Sequence, residues 1–351
     1  KTVGCLRCVV SSKKHRGILR DPALGGLAGL LRFVMMFTQV SAQQANRWND
    51  DPDTFNVDED GHTHATELDG TKRCGSAILR SVAVDFMESV LDRYTEPVGV
   101  KGCRPGTWRE GSVALAAAAV RLLQMGQSPD GTPGSRGWQL EEVAIKMSSL
   151  IVDVLCRQHA QKKKGGGQAS SGITMPLSAE SLLRYAIQTI SKFFRTGSNS
   201  PQHSSATANA SPFLIARCFW LCSDLEECMP TDLRCQFIVP CTRAMQKGLP
   251  LCLRLCAIRL IYSLGNRVLT DRKSQKSRKP SALGIAPVVD KFSTALTPHL
   301  VGLLKAVCGV VKDVGDDNLH ICVETISKLL QVDTTATGVT ANVAQQRSEE
   351  H

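Results

Sequence analysis

Apolar residues recur along this chain at intervals of three and four in ten separate blocks, and no stretch alternates as the two faces of a strand would. That pattern predicts an all-α chain. The blocks span roughly 24–47, 73–94, 109–125, 138–157, 177–194, 211–228, 231–247, 250–266, 287–311 and 316–332. The clearest is 211–228. Ser211 suits a helix cap and Pro212 the first turn. Leu214, Cys218, Leu221, Cys222 and Leu225 then form one stripe at helical spacing. Thr231 is a second candidate cap, ahead of Leu233, Phe237, Cys241 and Met245, with Pro240 inside that helix as an expected kink. Block 250–266 is apolar around most of its circumference, Arg254 and Arg259 excepted, so it must touch neighbours on several sides.

A stacked array of helix pairs meets that demand. Comparable helices start at Ser211 and Pro250, an interval of 250 − 211 = 39 residues. Helical hairpins of the HEAT type repeat about every 40–47 residues. The predicted fold is therefore an α-solenoid of HEAT-type antiparallel helix pairs, about five of them, in a right-handed superhelical array. Residues 1–23 form a basic N-terminal segment expected to be poorly ordered. Residues 24–332 form the solenoid, with flexible inserts near 50–70, 157–176, 195–210 and 267–286. Residues 333–351 form a polar tail.

Composition narrows the function. Apolar residues make up 42% of 351, ordinary for a folded chain. The chain opens at Lys1, so a fragment of a longer protein is expected. The nearest approach to a membrane span, Ala23 to Phe37, is short and carries Arg32, and a soluble intracellular protein without membrane insertion is expected. The net charge of +10 concentrates in Lys13-Lys14-His15-Arg16, in Lys162 to Lys164 and in the run from Arg272 to Lys279. These are expected to be solvated breaks. Aromatics are 5% and do not interleave with the basic runs, so no direct nucleic-acid binding is expected.

Fourteen cysteines invite a disulfide or zinc framework. Cys218 and Cys222, like Cys252 and Cys256, stand four apart in apolar helices, which marks them as buried reduced thiols. Cys5 and Cys8 make one C-x-x-C without a second half, and no metal site or cofactor is expected. Asn56, Asp58, Asp60, Gly61 and Glu67 fall on an EF-hand register, but Pro52 and Gly70 stand where its helices should run. His62 and His64 in the same segment are expected to be solvent-exposed. No phosphate-cradling loop, nucleophile elbow or zinc-hydrolase motif occurs, so catalysis is not expected.

The acids are more telling. Asp50, Asp51, Asp53, Asp58, Glu59, Asp60, Glu67 and Asp69 crowd twenty residues, with no Lys or Arg between Trp48 and Thr71. Such a sign reversal inside a basic chain suggests a surface for a cationic partner, in a loop between two helices of one pair.

Trp48, Asp51-Pro52, Phe55 and Asp58-Glu59-Asp60 resemble a segment of the importin-β-type karyopherins, nuclear transport receptors, in particular their importin-nine branch. Glu110 to Arg121 resembles the alanine-rich helix of that branch, and Trp138 with Glu142 the helix that follows. Ser211 to Leu214, Arg217 and Trp220 are similar to a later segment. Arg254, Ala257, Ile258 and Arg259, then Val323-Glu324-Thr325, continue the likeness, which runs from about residue 24 to 333. The resemblance implies a nuclear import receptor that binds basic cargo such as histones or ribosomal proteins and the GTP form of the small GTPase Ran. It also implies contact with nucleoporin repeats and shuttling between cytoplasm and nucleus. A static HEAT-repeat scaffold is the alternative; unlike a receptor, it would ignore Ran.

Overall fold

A computed structural model describes residues 20–22, 25–51, 54–55, 75–94, 109–127, 137–163, 175–196, 211–276 and 291–336. The described residues are helical, without a strand. They form α1 (Gly26–Met35), α2 (Ala42–Asp50), α3 (Gly75–Arg93), α4 (Glu110–Gly126), α5 (Gly137–Ser149), α6 (Val152–Lys163), α7 (Ala179–Thr196), α8 (Pro212–Asp224), α9 (Thr231–Ala244), α10 (Leu251–Lys276), α11 (Lys291–Leu296), α12 (Leu300–Val311) and α13 (Asp316–Ala336). Short 3-10 turns follow α1, α8 and α11.

Helix starts follow local chemistry. The Ser211 hydroxyl accepts from the Phe213 amide at 3.3 Å with Pro212 next in line, as the sequence predicts. Pro230, not Thr231, caps α9, so Thr231 is already helical and Pro240 lies within. The predicted block 24–47 is not one helix. It breaks at 39–41, and the Ser41 hydroxyl restarts the chain by accepting from the Gln44 amide at 3.1 Å. The carbonyls freed at this break find distant donors. Arg80 on α3 donates to Thr38, and the Gln139 amide on α5 donates to Val40 at 3.1 Å. Block 138–157 likewise divides, at Leu150 and Ile151, into α5 and α6.

Two inserts and the tail are more structured than expected. Helix α10 runs to Lys276, ten residues past its predicted end, and Arg267 and Asp271 pair one turn apart at 3.1 Å. Helix α6 runs to Lys163, and α13 enters the predicted tail as far as Ala336. At the other end, Arg20 is held by the Glu110 carboxylate at 2.6 Å, within a segment expected to be poorly ordered.

The helices pack in sequence order. One row runs α1, α4, α5, α8, α10, α13, each touching the next. Helices α7, α9 and α11 form a second row, and α7–α8, α9–α10 and α12–α13 pack between rows. Two helices of the first row are enclosed over most of their surface. Every residue of α8 from Phe213 to Ser223 is buried, and so is nearly every residue of α10 from Leu251 to Ile261. Where α4 meets α5 the backbones almost touch: a Cβ on Gly126 would lie 2.7 Å from the Gly137 carbonyl oxygen.

One stretch departs from the membrane expectation. Lys291–Val311, through α11 and α12, is long and apolar enough to cross a membrane by length and composition, with mean hydropathy 1.5. Its Phe292, Leu296, Leu303, Val307 and Val310 are buried, and α11 and α12 touch α9 and α13.

Candidate functional site: an acidic segment pinned by buried aromatics

Asp50 is the last residue of α2 and Asp51 follows as its cap; both are exposed. Carboxylates at a helix C-terminus oppose the dipole and cost about 0.3–1 kcal/mol each. Helix stability therefore does not account for them. Asp53, Asp58, Glu59, Asp60, Glu67 and Asp69 lie outside the described residues, as do the EF-hand register, His62 and His64, and Cys5 with Cys8.

The aromatic residues around these acids have the opposite fate. Trp48 and Phe55 are at most 1% exposed, with ring centroids 4.8 Å apart, edge to face. Phe213, at the start of α8, lies 5.1 Å from Trp48 and 6.0 Å from Phe55, and Trp138 of α5 stands 6.4 Å from it. The acidic segment thus begins at a buried pin, turns its first two carboxylates to solvent, and returns to a second pin. The Thr54 hydroxyl donates to the Asp51 carbonyl at 2.6 Å and tightens that return.

Beneath the rings lies a buried ionic triad. Glu142 of α5, fully buried, accepts from both terminal nitrogens of Arg80, at 2.7 and 3.1 Å, and from Nε of Arg217 on α8 at 3.0 Å. Two cations against one anion leave a surplus positive charge. The Thr38 carbonyl and the ring faces answer it. Arg80 lies 6.0 Å from Trp48, and Arg217 5.4 Å from Phe55 and 5.2 Å from Trp220. Arg259 of α10 covers Trp220 at 4.0 Å.

The structure thus gathers Trp48, Phe55, Trp138, Glu142, Phe213, Arg217 and Trp220 into one junction joining α2, α3, α5, α8 and α10. These residues are scaffold. Arg80 completes the triad and was invisible in the sequence, because nothing local distinguishes it from the other arginines. A second ion pair joins Arg254 of α10 to Asp313 at 2.6 Å. Glu141, next to Glu142, accepts from the Tyr185 hydroxyl, and burial raises its pKa above the ordinary value.

Among the described residues no group of three or more His, Cys, Asp or Glu side chains could hold a metal ion. Cys218, Cys222, Cys241, Cys252 and Cys256 are buried thiols. Burial raises Cys218, Cys222 and Cys241, and pushes Cys252 up to about 12, so these stay protonated at neutral pH.

No protein-family model matches this chain. Among curated proteins, Importin-9 of Drosophila melanogaster is 27% identical over 95 residues, which is 27% of this chain and 8% of the relative. The matched stretch therefore spans less than a tenth of that relative's length. The similarity is importin-like and partial, and the described residues of the chain are helical.

Proposed function

We propose that this chain is part of a nuclear import receptor that acts by binding, not by catalysis. Its helix pairs form a HEAT-type solenoid, and the acidic segment from Asp50 to Asp69 receives a cationic partner. The cargo class is basic protein, such as histones or ribosomal proteins. The GTP form of Ran and nucleoporin repeats are the other partners, and the protein shuttles between cytoplasm and nucleus. The likeness to Importin-9 carries this reading. The row-by-row helix contacts and the exposed Asp50 and Asp51 support it.

The electrostatic logic is simple. Eight carboxylates in twenty residues repel one another in the unbound state. A cationic partner relieves that repulsion and gains attraction, screened over about 8 Å at physiological salt. Replacing Asp50, Asp51, Asp53, Asp58, Glu59 and Asp60 with Asn, Gln or Ser should leave the melting temperature nearly unchanged. It should weaken histone binding, and make what remains less salt-dependent. Binding to Ran loaded with a GTP analogue or with GDP, measured alongside, separates a receptor from a static scaffold. Equal histone affinities and salt slopes for parent and variant, with no preference for GTP-loaded Ran, overturn the proposal.

A further inference from the structure

Most described thiols are sealed inside apolar helix contacts. One pair is not. Cys156 lies on α6 and is only half-buried; Cys228 ends the 3-10 turn Glu226–Cys228 between α8 and α9. Their sulfurs are 3.2 Å apart, within thiol hydrogen-bond distance, although the residues are 72 positions apart in sequence. The approach is built by packing on both sides. Helix α6 touches the turn, Ile151 and Leu155 of the α6 side are buried, and Cys228 is followed by the buried Met229. The turn is also fixed from the α10 side, where Arg267 meets Glu227 at 3.6 Å.

We propose that Cys156 and Cys228 form a peroxide-sensitive modification site, with Cys156 as the thiol first oxidised and Cys228 as the resolving thiol. In the first step the Cys156 sulfur, as thiolate, attacks one oxygen of a hydroperoxide. The O–O bond breaks, a sulfenic acid forms, and the other oxygen leaves as water or alcohol with the thiol proton. In the second step the Cys228 sulfur attacks the Cys156 sulfur. The S–S bond forms as the S–O bond breaks, and the hydroxide departs as water with the Cys228 proton. Two thiols are oxidised by two electrons and one peroxide is reduced.

Proximity favours the second step, since the resolving sulfur is already in contact with its target. Access favours Cys156 for the first, because Cys228 is 2% exposed. The first step is slow at neutral pH. The Cys228 hydrogen bond, burial and the carboxylates of Glu227 and Asp153 all raise Cys156 above the ordinary thiol range. The site therefore responds to sustained oxidation, and its rate should climb with pH. The product staples α6 to the turn ahead of α9, joining parts of the array whose link is otherwise non-covalent. A dithiol reductant reverses it by exchange.

The test treats the whole purified chain with hydrogen peroxide and maps peptides by mass spectrometry without reduction. The expected product is a Cys156–Cys228 cross-linked peptide lacking two hydrogens, released by dithiothreitol and absent in Cys156→Ser. Its formation should raise the melting temperature by a few degrees. In Cys228→Ala, Cys156 should instead be captured as a sulfenic acid by a 1,3-diketone probe. Exposed Cys308 on α12 is the internal comparator. Oxidation of Cys308 while Cys156 and Cys228 remain alkylatable thiols overturns the proposal. So does direct over-oxidation of Cys156 without the cross-link. The cross-link in the parent chain decides the matter even if a variant fails to fold.

Discussion

The junction around Glu142 and the stack from α8 to α13 hold helices together by opposite means. At the junction, two guanidinium groups and one carboxylate sit in the interior under a cap of aromatic rings. In the later stack the interior is apolar and thiol-rich, and the buried Arg254 meets its partner Asp313 at the margin, where the Asp313 side chain is 41% exposed. Buried charges tolerate few geometries, because each lone pair and proton needs a partner. They fix which helix sits against which. Apolar packing with small side chains supplies more stability and less direction. The lesson is that this chain spends its directional contacts where its connectivity is least regular, at the broken helix α1–α2 and around the acidic segment.

The largest expected effect breaks the first region. Glu142→Ala leaves Arg80 and Arg217 buried together without their shared anion. Removing one partner of a buried pair costs about 3–5 kcal/mol, to be read as a lower urea midpoint. Asp313→Ala, which breaks a marginal pair, should move the midpoint far less. Near-equal shifts for the two would erase the contrast.

In the second region the sensitive change is polarity, not charge. Cys222→Ser places a hydroxyl among fully buried neighbours and should cost about 1–3 kcal/mol by equilibrium denaturation. Cys222→Ala, which only trims volume, should cost less. A Ser variant as stable as the parent would mean that water reaches this interior.

Gly137→Ala tests the close approach of α4 and α5. Its Cβ would lie 2.8 Å from the Gly126 carbonyl oxygen, and forcing the helices apart should cost about 1–3 kcal/mol. Amide exchange in the same variant should quicken in α4 and α5 before α10.

The smallest effects concern pH, and they carry opposite signs in the two regions. Burial raises Glu141 above its ordinary 4.5, while the Tyr185 hydroxyl and Lys192 pull the other way. A raised folded-state pKa means that the protonated form favours folding. That stability is complete below the unfolded value and is lost as pH rises through the folded one. Asp313 is held below its ordinary 3.8, first by the Arg254 hydrogen bond. Its contribution is present above the unfolded value and is lost as pH falls through the folded one. Thermal melts from about pH 3 to about pH 7 should show Glu141→Gln removing a loss on the neutral side. Asp313→Asn should remove a loss on the acid side. A shared sign for both variants would contradict the assigned environments.

Much of this was legible in the sequence where the cause is local. The cap of α8, the wide burial of α10 and the thiol pairs on the faces of both all follow from spacing within a few residues. The break at 39–41 was not legible, because its stabilising donors, Arg80 and Gln139, lie 42 and 99 positions away from the carbonyls they satisfy. The end of α10 was not legible for a related reason. Its polar residues from Arg267 onward look like a linker, yet Arg267 and Asp271 gain partners from Glu227 and Arg234 across the fold. The acids of the candidate site were conspicuous by charge. That their aromatic neighbours serve as anchors, not as contact residues, is a tertiary fact.

Those anchors have a consequence for how this protein can change over generations. Trp48 and Phe55 tie the chain to the interior on either side of Asp50 and Asp51, whose side chains are exposed. Substitutions at these two carboxylates can alter what the surface attracts without being screened out for misfolding. Substitutions at the two rings meet the full penalty of an emptied core. Affinity here can drift while the architecture stays still, and related chains should differ most in charge between two aromatic residues that hardly differ at all.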